Sequence, residues 1–421
     1  MDCIIDFLSD IKQKDLRRLA QNQSECYEDA IELYKELFIS NFSQIKDACS
    51  DEKCDIKSKC NELREIILGI ENAEIIDFFD KMKLVYINWI DAKIKDSLEV
   101  FTDIMNQYEL WCFYDTDIKK EIFFKGRIEK NILTRWEMFH IPFNKRYLIK
   151  NQRYSLTGQP IIYLGKSIVD IIHELDISDE NIGDLKISSI RIKEDLKVYD
   201  LRNNIYDLLN KTEFLEVIGG EGIEKNYKQT FFKILLASIC SFERKKEHKD
   251  YTFCEEYVIP QILAQTLKNK EYDGIIYFST KKFEGVSFEN TKENISLTNK
   301  TKYKENVALF TNFNKDHVYD EVLYSKLDIS SPIDLTKSQD FNINHLDETC
   351  KKIEFTKNQK EINDSQVIVT IFKREFEGIK INDSKYIDKD MGKMHIYHLY
   401  CILNKILCKS SEVVINERNN S

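Results

Sequence analysis

The sequence predicts an α+β protein in which a helical N-terminal bundle is followed by a domain of mixed helices and strands. Two observations support this class. Residues 1–110 contain no proline and a single glycine, and their apolar side chains recur every three or four positions. After residue 110, glycines and prolines become more frequent, and short apolar runs typical of strands alternate with helical segments.

The N-terminal region, residues 1–110, is predicted to be a helical domain. Its amphipathic pattern is found in residues 4–11, 27–42, 57–68 and 73–104. Polar stretches such as 47–55 separate these segments. Because each segment has one apolar face, we expect the helices to pack as a bundle, and we expect this region to bind a partner rather than to carry chemistry.

Residues 111–330 are predicted to form the α+β domain. Apolar runs predict strands, and periodic segments predict helices: strands at 161–164, 274–278 and 307–310, helices at 167–175 and 260–267. The stretch 281–304 is rich in Asn and Lys, so we expect a long loop between two strands there.

Residues 331–421 are predicted to form a C-terminal α/β extension. The run of β-branched residues at 366–372 predicts a strand, and the segment 394–409 predicts a helix. Neither segment contains a catalytic motif. The glycine-rich tetrapeptide 219–222 lacks the Lys-Ser/Thr ending of a phosphate-binding loop, so it predicts no nucleotide site.

The composition disfavours several classes of protein. The 421 residues include 62 Lys and Arg against 72 Asp and Glu, which gives a formal net charge of −10. General nucleic-acid binding is disfavoured, since it needs a surplus of cations to displace phosphate counterions. No apolar run reaches the roughly 20 residues of a membrane span. Asp2, Asp6 and Asp10 interrupt the apolar N-terminus, unlike a secretion signal. We therefore expect a cytoplasmic protein with no membrane partner.

The sequence contains no pattern typical of a metal site. Its 11 cysteines are scattered, without the two-residue spacing of zinc-binding pairs, which favours reduced thiols. His395 and His398 lie three positions apart on a predicted helix, but no third ligand accompanies them. We expect no bound metal.

The segment 153–175 contains the strongest candidates for a site. Gly158 and Pro160 predict a turn before the strand at 161–164, and Ser167 is placed to cap the helix that follows. Glu174 lies beside the apolar face of that helix, where a carboxylate is costly unless it has a partner or a function.

Three side chains of this segment have complementary chemistry. Arg153 offers a planar fork for phosphate or carboxylate, Tyr163 offers a ring and a hydroxyl, and Glu174 offers an anion. A structural Arg–Glu ion pair beside a buried tyrosine would contain the same residue types. The residues by themselves leave both interpretations open.

The same segment resembles the signature of the RES domain family, named for its Arg, Glu and Ser. In that family a Gly-x-Pro turn separates the arginine from a strand-borne tyrosine ten residues later, as with Arg153 and Tyr163 here. The resemblance covers about residues 120–330. Further similar segments occur in the family's order, 138–143 before this segment and 256–263, 272–279 and 306–310 after it. One departure is Lys125, which stands where the family's pattern has the first of two arginines.

The resemblance implies an ADP-ribosyltransferase-like fold, with a split mixed or antiparallel sheet and a cleft for NAD+ as substrate. It implies an NAD+ glycohydrolase that acts as a toxin or anti-phage defence effector, without a metal. The alternatives are an ADP-ribosyltransferase that modifies a protein, and a catalytically silent protein that senses a nucleotide. An antitoxin or regulator would bind the helical N-terminal region, through which we also expect a homodimer.

The resemblance also implies roles for individual residues. Glu174 would stabilise the positive charge on the ribose or activate water. Arg153 would bind the pyrophosphate, and Tyr163 would orient the nicotinamide. Ser279 would donate a hydrogen bond to the substrate or to Glu174. The candidate cofactor-binding residues also include Arg127, Lys125 and Asn306.

Overall fold

The computed structural model confirms the α+β class. It describes residues 4–45, 65–111, 118–119, 121–177, 181–202, 223–248, 251–281, 286–288, 304–334, 338–376 and 378–408. Within these residues, a mixed seven-stranded sheet and a separate three-stranded sheet are surrounded by helices.

The described part of the N-terminal region is mostly helical. Its helices are α1 (Ile4–Phe7), α2 (Asp10–Gln23), α3 (Tyr27–Phe42), α4 (Asn72–Ile90) and α5 (Ile94–Gln107). The predicted helix at 27–42 is confirmed as α3. The amphipathic segment 73–104 is divided between α4 and α5, because Ala92 adopts the left-handed conformation (φ 59°) that ends a helix. The polar stretch 47–55 and most of the segment 57–68 lie outside the described residues.

The large sheet contains the strands predicted from sequence at its centre. Its strands are β1 (Ile122–Ile128), β2 (Ile161–Gly165), β3 (Leu185–Ile192), β4 (Val198–Asp200), β5 (Gly274–Phe278), β7 (Glu305–Phe310) and β8 (Leu327–Ile329). They are ordered β4-β5-β7-β2-β1-β3-β8. Neighbours are antiparallel except for the parallel pair β4 and β5. The predictions at 161–164, 274–278 and 307–310 are confirmed as β2, β5 and β7.

The remaining helices cover this sheet and form most of the C-terminal region. They are α6 (Ile168–Glu174), α7 (Ile223–Ile239), α8 (Val258–Asn269), α9 (Glu321–Ser325), α10 (Ile343–Thr356), α11 (Gln359–Phe376) and α12 (Asp390–Cys408). The predictions at 167–175, 260–267 and 394–409 are thereby confirmed as α6, α8 and α12. The Ser167 hydroxyl caps α6 by accepting a hydrogen bond from the Asp170 backbone N–H, as its position predicts.

The predicted strand at 366–372 is wrong, because this run lies inside α11. Val369, Phe372 and Phe376 recur at helical spacing and are buried on one side of the helix, where the C-terminal helices pack together. Packing on a shared core therefore overrides the strand preference of β-branched residues. The polar stretch 281–304 also contains β6 (Val286–Phe288), which pairs with β9 (Ile379–Ile381) and, through it, joins β10 (Ser384–Lys385).

One face of the large sheet carries two groups of helices. Ile275 and Ala308 on this face share a hydrophobic core with the N-terminal helices, α7 and α8. Phe124 on the same face packs with residues of α6 and α12. Strand pairing of Gly165 with Asn306 links the two areas of the face. The candidate site lies at this junction.

Candidate functional site

Glu174, the last residue of α6, is held by two residues from distant parts of the chain. Its Oε1 accepts a hydrogen bond from Ser279 Oγ and another from Asn306 Nδ2, which is 3.0 Å away. Ser279 directly follows β5, and Asn306 is the second residue of β7. Both donors are buried, whereas Glu174 is half-buried. In the described part of the chain no donor binds Oε2, so this oxygen can face a substrate.

Strand pairing and two glycines bring α6 close to the sheet at this point. Asn306 pairs with Gly165 on one side and with Tyr277 on the other, so these positions share one face. A Cβ atom added to Gly165 would lie 2.6 Å from Asp170 Oδ2 and 3.2 Å from Asn306 Oδ1. A Cβ atom at Gly126 would overlap the side chain of Ile171. Glycine at both positions therefore lets the helix approach closely enough for Glu174 to reach Ser279 and Asn306.

Arg153 lies beside this site, and its guanidinium donates hydrogen bonds to other parts of the protein. Its Nη1 donates to the carbonyls of Cys240 (2.8 Å) and Phe242 (3.0 Å), which follow α7, and its Nη2 donates to Thr280 Oγ1 (3.1 Å). The guanidinium also lies over the Tyr257 ring, 4.9 Å from its centroid. Arg153 thus ties the end of α7 to the residue next to Ser279. Its assignment to the pyrophosphate stays a prediction.

Tyrosines surround the guanidinium and the carboxylate. The Tyr163 hydroxyl accepts a hydrogen bond from the Tyr154 backbone N–H at 3.1 Å, and the Tyr154 ring lies 4.6 Å from the Tyr277 ring. Tyr154 and Tyr277 are buried, whereas Tyr163 and Tyr257 are half-buried. Burial raises the pKa of Tyr163 above its usual value, so its hydroxyl keeps its proton at neutral pH.

Gln261 on α8 supports the turn that carries Arg153. Its Nε2 donates to Asn151 Oδ1 (2.6 Å), to the Gln152 carbonyl (2.8 Å) and to the Ser155 carbonyl (3.1 Å). The buried amide therefore fixes the backbone on both sides of the arginine.

Lys125 and Arg127 are not brought together with Glu174. Gly126 faces α6, and side chains alternate along a strand, so its two neighbours point to the opposite face of the sheet. There Lys125 Nζ donates to the Phe139 carbonyl, and Arg127 Nη1 donates to the Glu137 carbonyl at 3.2 Å. Burial, with a smaller effect from Arg127, lowers the pKa of Lys125 to about 8.

Asp170 is a site residue that the sequence interpretation missed. It lies one turn before Glu174 on α6, its exposed fraction is 0%, and neither carboxyl oxygen has a hydrogen-bond partner in the described residues. Burial raises the pKa of Asp170 well above its usual value, and the negative charge of Glu174 adds to this rise. The sequence signal was two acids spaced four apart on a helix whose other residues, except His173, are apolar.

Neither a metal-binding cluster nor a membrane-spanning helix is found among the described residues. No cluster of three or more His, Cys, Asp or Glu side chains there is placed to bind a metal ion. His395 and His398 are buried against the Phe124 ring, with centroid distances of 4.6 and 5.7 Å. Among the described helices, none has both the length and the apolar composition needed to cross a membrane.

Comparison with known proteins finds similarity to a bacterial protein over part of the chain. The protein named "Putative toxin YopC" from Bacillus subtilis (strain 168) is 31% identical over 254 residues, which are 59% of this chain and 54% of that protein. The chain thus spans about half the length of this curated relative. No family model matches the chain, and no solved structure matches it.

Proposed function

We propose that this chain is a toxin that cleaves NAD+ to nicotinamide and ADP-ribose, with water as the acceptor. The observation that carries this proposal is the arrangement at Glu174, where Ser279 and Asn306 hold one carboxylate oxygen and leave the other without a donor from the described residues. The Arg, Glu and Ser of the RES signature lie together, since Arg153 binds Thr280, the neighbour of Ser279. Similarity to the protein named "Putative toxin YopC" supports the biological role.

The proposed chemistry uses Glu174 at the ribose. When the bond between nicotinamide and ribose breaks, its electron pair leaves with nicotinamide, and positive charge develops on the ribose. The carboxylate of Glu174 stabilises this charge. Water then attacks the same carbon, and Glu174 accepts the proton that the water loses. The products are nicotinamide, ADP-ribose and one proton.

The neighbouring residues prepare Glu174 and shape the site. Hydrogen bonds from Ser279 and Asn306 to one oxygen fix the orientation of the carboxylate. The half-buried rings of Tyr163 and Tyr257 are available to stack on the nicotinamide or the ribose. Arg153 adds a positive charge that attracts the phosphates, while its hydrogen bonds hold Thr280 and hence the Ser279 segment.

The test is incubation of the purified protein with NAD+, with nicotinamide and ADP-ribose measured by chromatography. We expect wild type to release both products and Glu174→Gln to lose about a hundredfold or more of this activity. Glu194→Gln makes the same substitution at an exposed position and serves as the matched control. Release of nicotinamide with labelled ADP-ribose appearing on a protein would identify a transferase. No turnover by wild type, with or without lysate protein, would contradict the proposal.

The proposed toxin role has a separate test in cells. We expect expression of wild type to arrest growth and Glu174→Gln to relieve the arrest, while Glu194→Gln arrests growth like wild type. Equal arrest by all three proteins would contradict the assignment of toxicity to this site. If growth is arrested, co-expression can identify the antitoxin that we expect to bind the helical N-terminal region.

A further inference from the structure

We propose that Asp170 is a protonated carboxylic acid that positions Glu174, with its hydrogen directed at the oxygen atoms of Ser279 and Asn306. These are the two residues whose own hydrogens are donated to Glu174. The positioning role of Asp170 rests on the proposed function, because that function makes Glu174 the residue that acts on the ribose. The protonated state of Asp170 is tested independently of any activity.

The geometry places Asp170 behind Glu174, away from solvent. Its exposed fraction is 0%, and its Oδ2 and Asn306 Oδ1 flank the same point above Gly165. An ionised carboxylate facing an amide oxygen would be repelled by it, and in the described residues neither of its oxygens receives a hydrogen bond to offset burial. A protonated acid has one hydrogen to donate, and the neighbouring Asn306 Oδ1 is an acceptor.

The charges around Asp170 also favour the protonated form. Glu174 follows one turn later on α6, and Tyr277 on β5 is a neutral buried phenol. The β1 positions that face α6 include Phe124 and Gly126, which carry no charge.

Few nearby groups favour the ionised form. From α12, burial keeps His395 and His398 neutral by lowering their pKa values, that of His398 to about 3. Lys304 before β7 favours ionisation, and so would a hydrogen bond from Ser279, but the Ser279 hydroxyl donates to Glu174. Burial and the negative charge of Glu174 outweigh both effects. Asp170 and Glu174 therefore hold one negative charge between them, and we expect that charge on Glu174, the more exposed of the two.

The protonated Asp170 gives the site a fixed direction of hydrogen bonding. If its hydrogen is directed at the Ser279 and Asn306 oxygens, the donor hydrogens of both residues must turn to Glu174 Oε1. The carboxylate then keeps one rotamer, and its Oε2 stays directed at the ribose. A residue without a donor at position 170 would let the Ser279 hydroxyl rotate away from Glu174.

The first experiment measures melting temperature against pH for wild type and Asp170→Asn. The unfolded chain releases the Asp170 proton near pH 4, whereas the folded protein keeps it. The stability that the protonated acid contributes is therefore complete below pH 4 and is lost as the pH rises towards the folded pKa. The carboxamide has no proton to lose, so we expect Asp170→Asn to melt at least about 2–4 °C higher than wild type at pH 8 and to lose this advantage at pH 4.

The second experiment repeats this comparison in a Glu174→Gln background. Removing the charge of Glu174 makes ionisation of Asp170 easier, so we expect the gain from Asp170→Asn at pH 8 to become smaller there. If the melting temperatures of wild type and Asp170→Asn differ by the same amount from pH 4 to pH 9, the proposal that Asp170 is protonated is overturned. An undiminished gain in the Glu174→Gln background would overturn the coupling between the two acids.

The third experiment tests positioning through turnover of NAD+. We expect Asp170→Leu, which keeps the branching and the number of heavy atoms but not the donor, to lower kcat about tenfold at unchanged KM. Asp170→Asn, which keeps a donor, should recover most of that loss. Equal kcat in both variants would overturn the positioning role. If wild type does not cleave NAD+, the proposed function fails while the melting experiments still decide the protonation and coupling of Asp170.

Discussion

Arg153 and Glu174 lie on either side of the dipeptide Ser279-Thr280, and they differ in what they bind. Arg153 donates three hydrogen bonds to protein acceptors, two of them backbone carbonyls after α7. Glu174 accepts two hydrogen bonds on one oxygen only. At the scale of single residues, we therefore expect substitutions of Arg153 to affect folding as well as activity, and substitutions of Glu174 to affect activity more than folding.

Replacement of Arg153 by lysine tests this distinction. A single ammonium group cannot reach two carbonyls and Thr280 together, so buried acceptors lose their partners. We expect Arg153→Lys to lower the melting temperature by about 5 °C and to lower NAD+ turnover with it. Arg135→Lys, at an exposed position, is the matched control. A wild-type melting temperature combined with lost NAD+ binding would instead place Arg153 in direct contact with the phosphates.

Buried histidines predict a loss of stability in acid. Burial lowers the pKa of His140 to about 4 and that of His398 to about 3. Below pH 6.5 the unfolded chain binds protons that the folded protein does not, so the free energy of unfolding decreases as the pH falls. At pH 5 each such histidine lowers the free energy of unfolding by about 2 kcal/mol.

Replacement of one histidine tests this acid sensitivity. Melting temperatures measured from pH 7.5 to pH 5 should fall less steeply for His398→Met than for wild type. An equal slope in the two proteins would mean that His398 is protonated in the folded state.

At the scale of elements, helix α2 of the N-terminal region holds the loop that follows β5. Lys14 Nζ donates to the carbonyls of Thr280 (2.7 Å) and Lys281 (3.2 Å). Arg18 binds Glu243 through two hydrogen bonds of 2.9 and 3.1 Å, and Lys14 also pairs with Glu243 at 3.0 Å. This helix therefore contacts both segments that Arg153 connects.

The contact predicts that α2 affects activity from outside the site. We expect Lys14→Met to lower NAD+ turnover on the order of tenfold, because the loop carrying Ser279 loses a charged donor. Lys95→Met removes an exposed lysine of α5 and is the matched control. Turnover equal to that of the control would show that the loop keeps its position without α2.

At the scale of the whole molecule, the N-terminal helices and the sheet domain share a hydrophobic core. The ring of Phe242 lies 5.4 Å from that of Tyr27 and 5.6 Å from that of Tyr34, and Phe38 lies 5.9 Å from Phe231. These contacts join α3 to α7 and to the segment after it. A partner that binds the N-terminal helices would therefore bind a part of the molecule that is packed against the site.

The shared core predicts that residues 1–110 are required for folding. We expect a fragment of residues 111–421 to be insoluble or to lack a cooperative melting transition, because it would expose the apolar surfaces of α7 and α8. Within the full chain, Phe38→Ala should lower the free energy of unfolding by about 3–5 kcal/mol. A soluble, cooperatively melting fragment would contradict the prediction and show that the N-terminal helices are a separable domain.

Local sequence patterns were sufficient to predict most of the strands and helices that carry the site residues. The strands β2, β5 and β7 and the Ser167 cap follow from short-range preferences, which act between neighbours along the chain. The run at 366–372 was misassigned because its strand preference conflicts with helical packing on a core that is built from distant residues.

The amino-acid sequence alone established the α+β class and marked Arg153, Tyr163 and Glu174 as candidates. It did not establish that Arg153 binds carbonyls after α7, that Lys125 and Arg127 face the other side of the sheet, or that Asp170 is buried behind Glu174. These features depend on strand register and on how closely a helix approaches a sheet. Both are set by contacts between residues far apart in the chain, so no local pattern contains them.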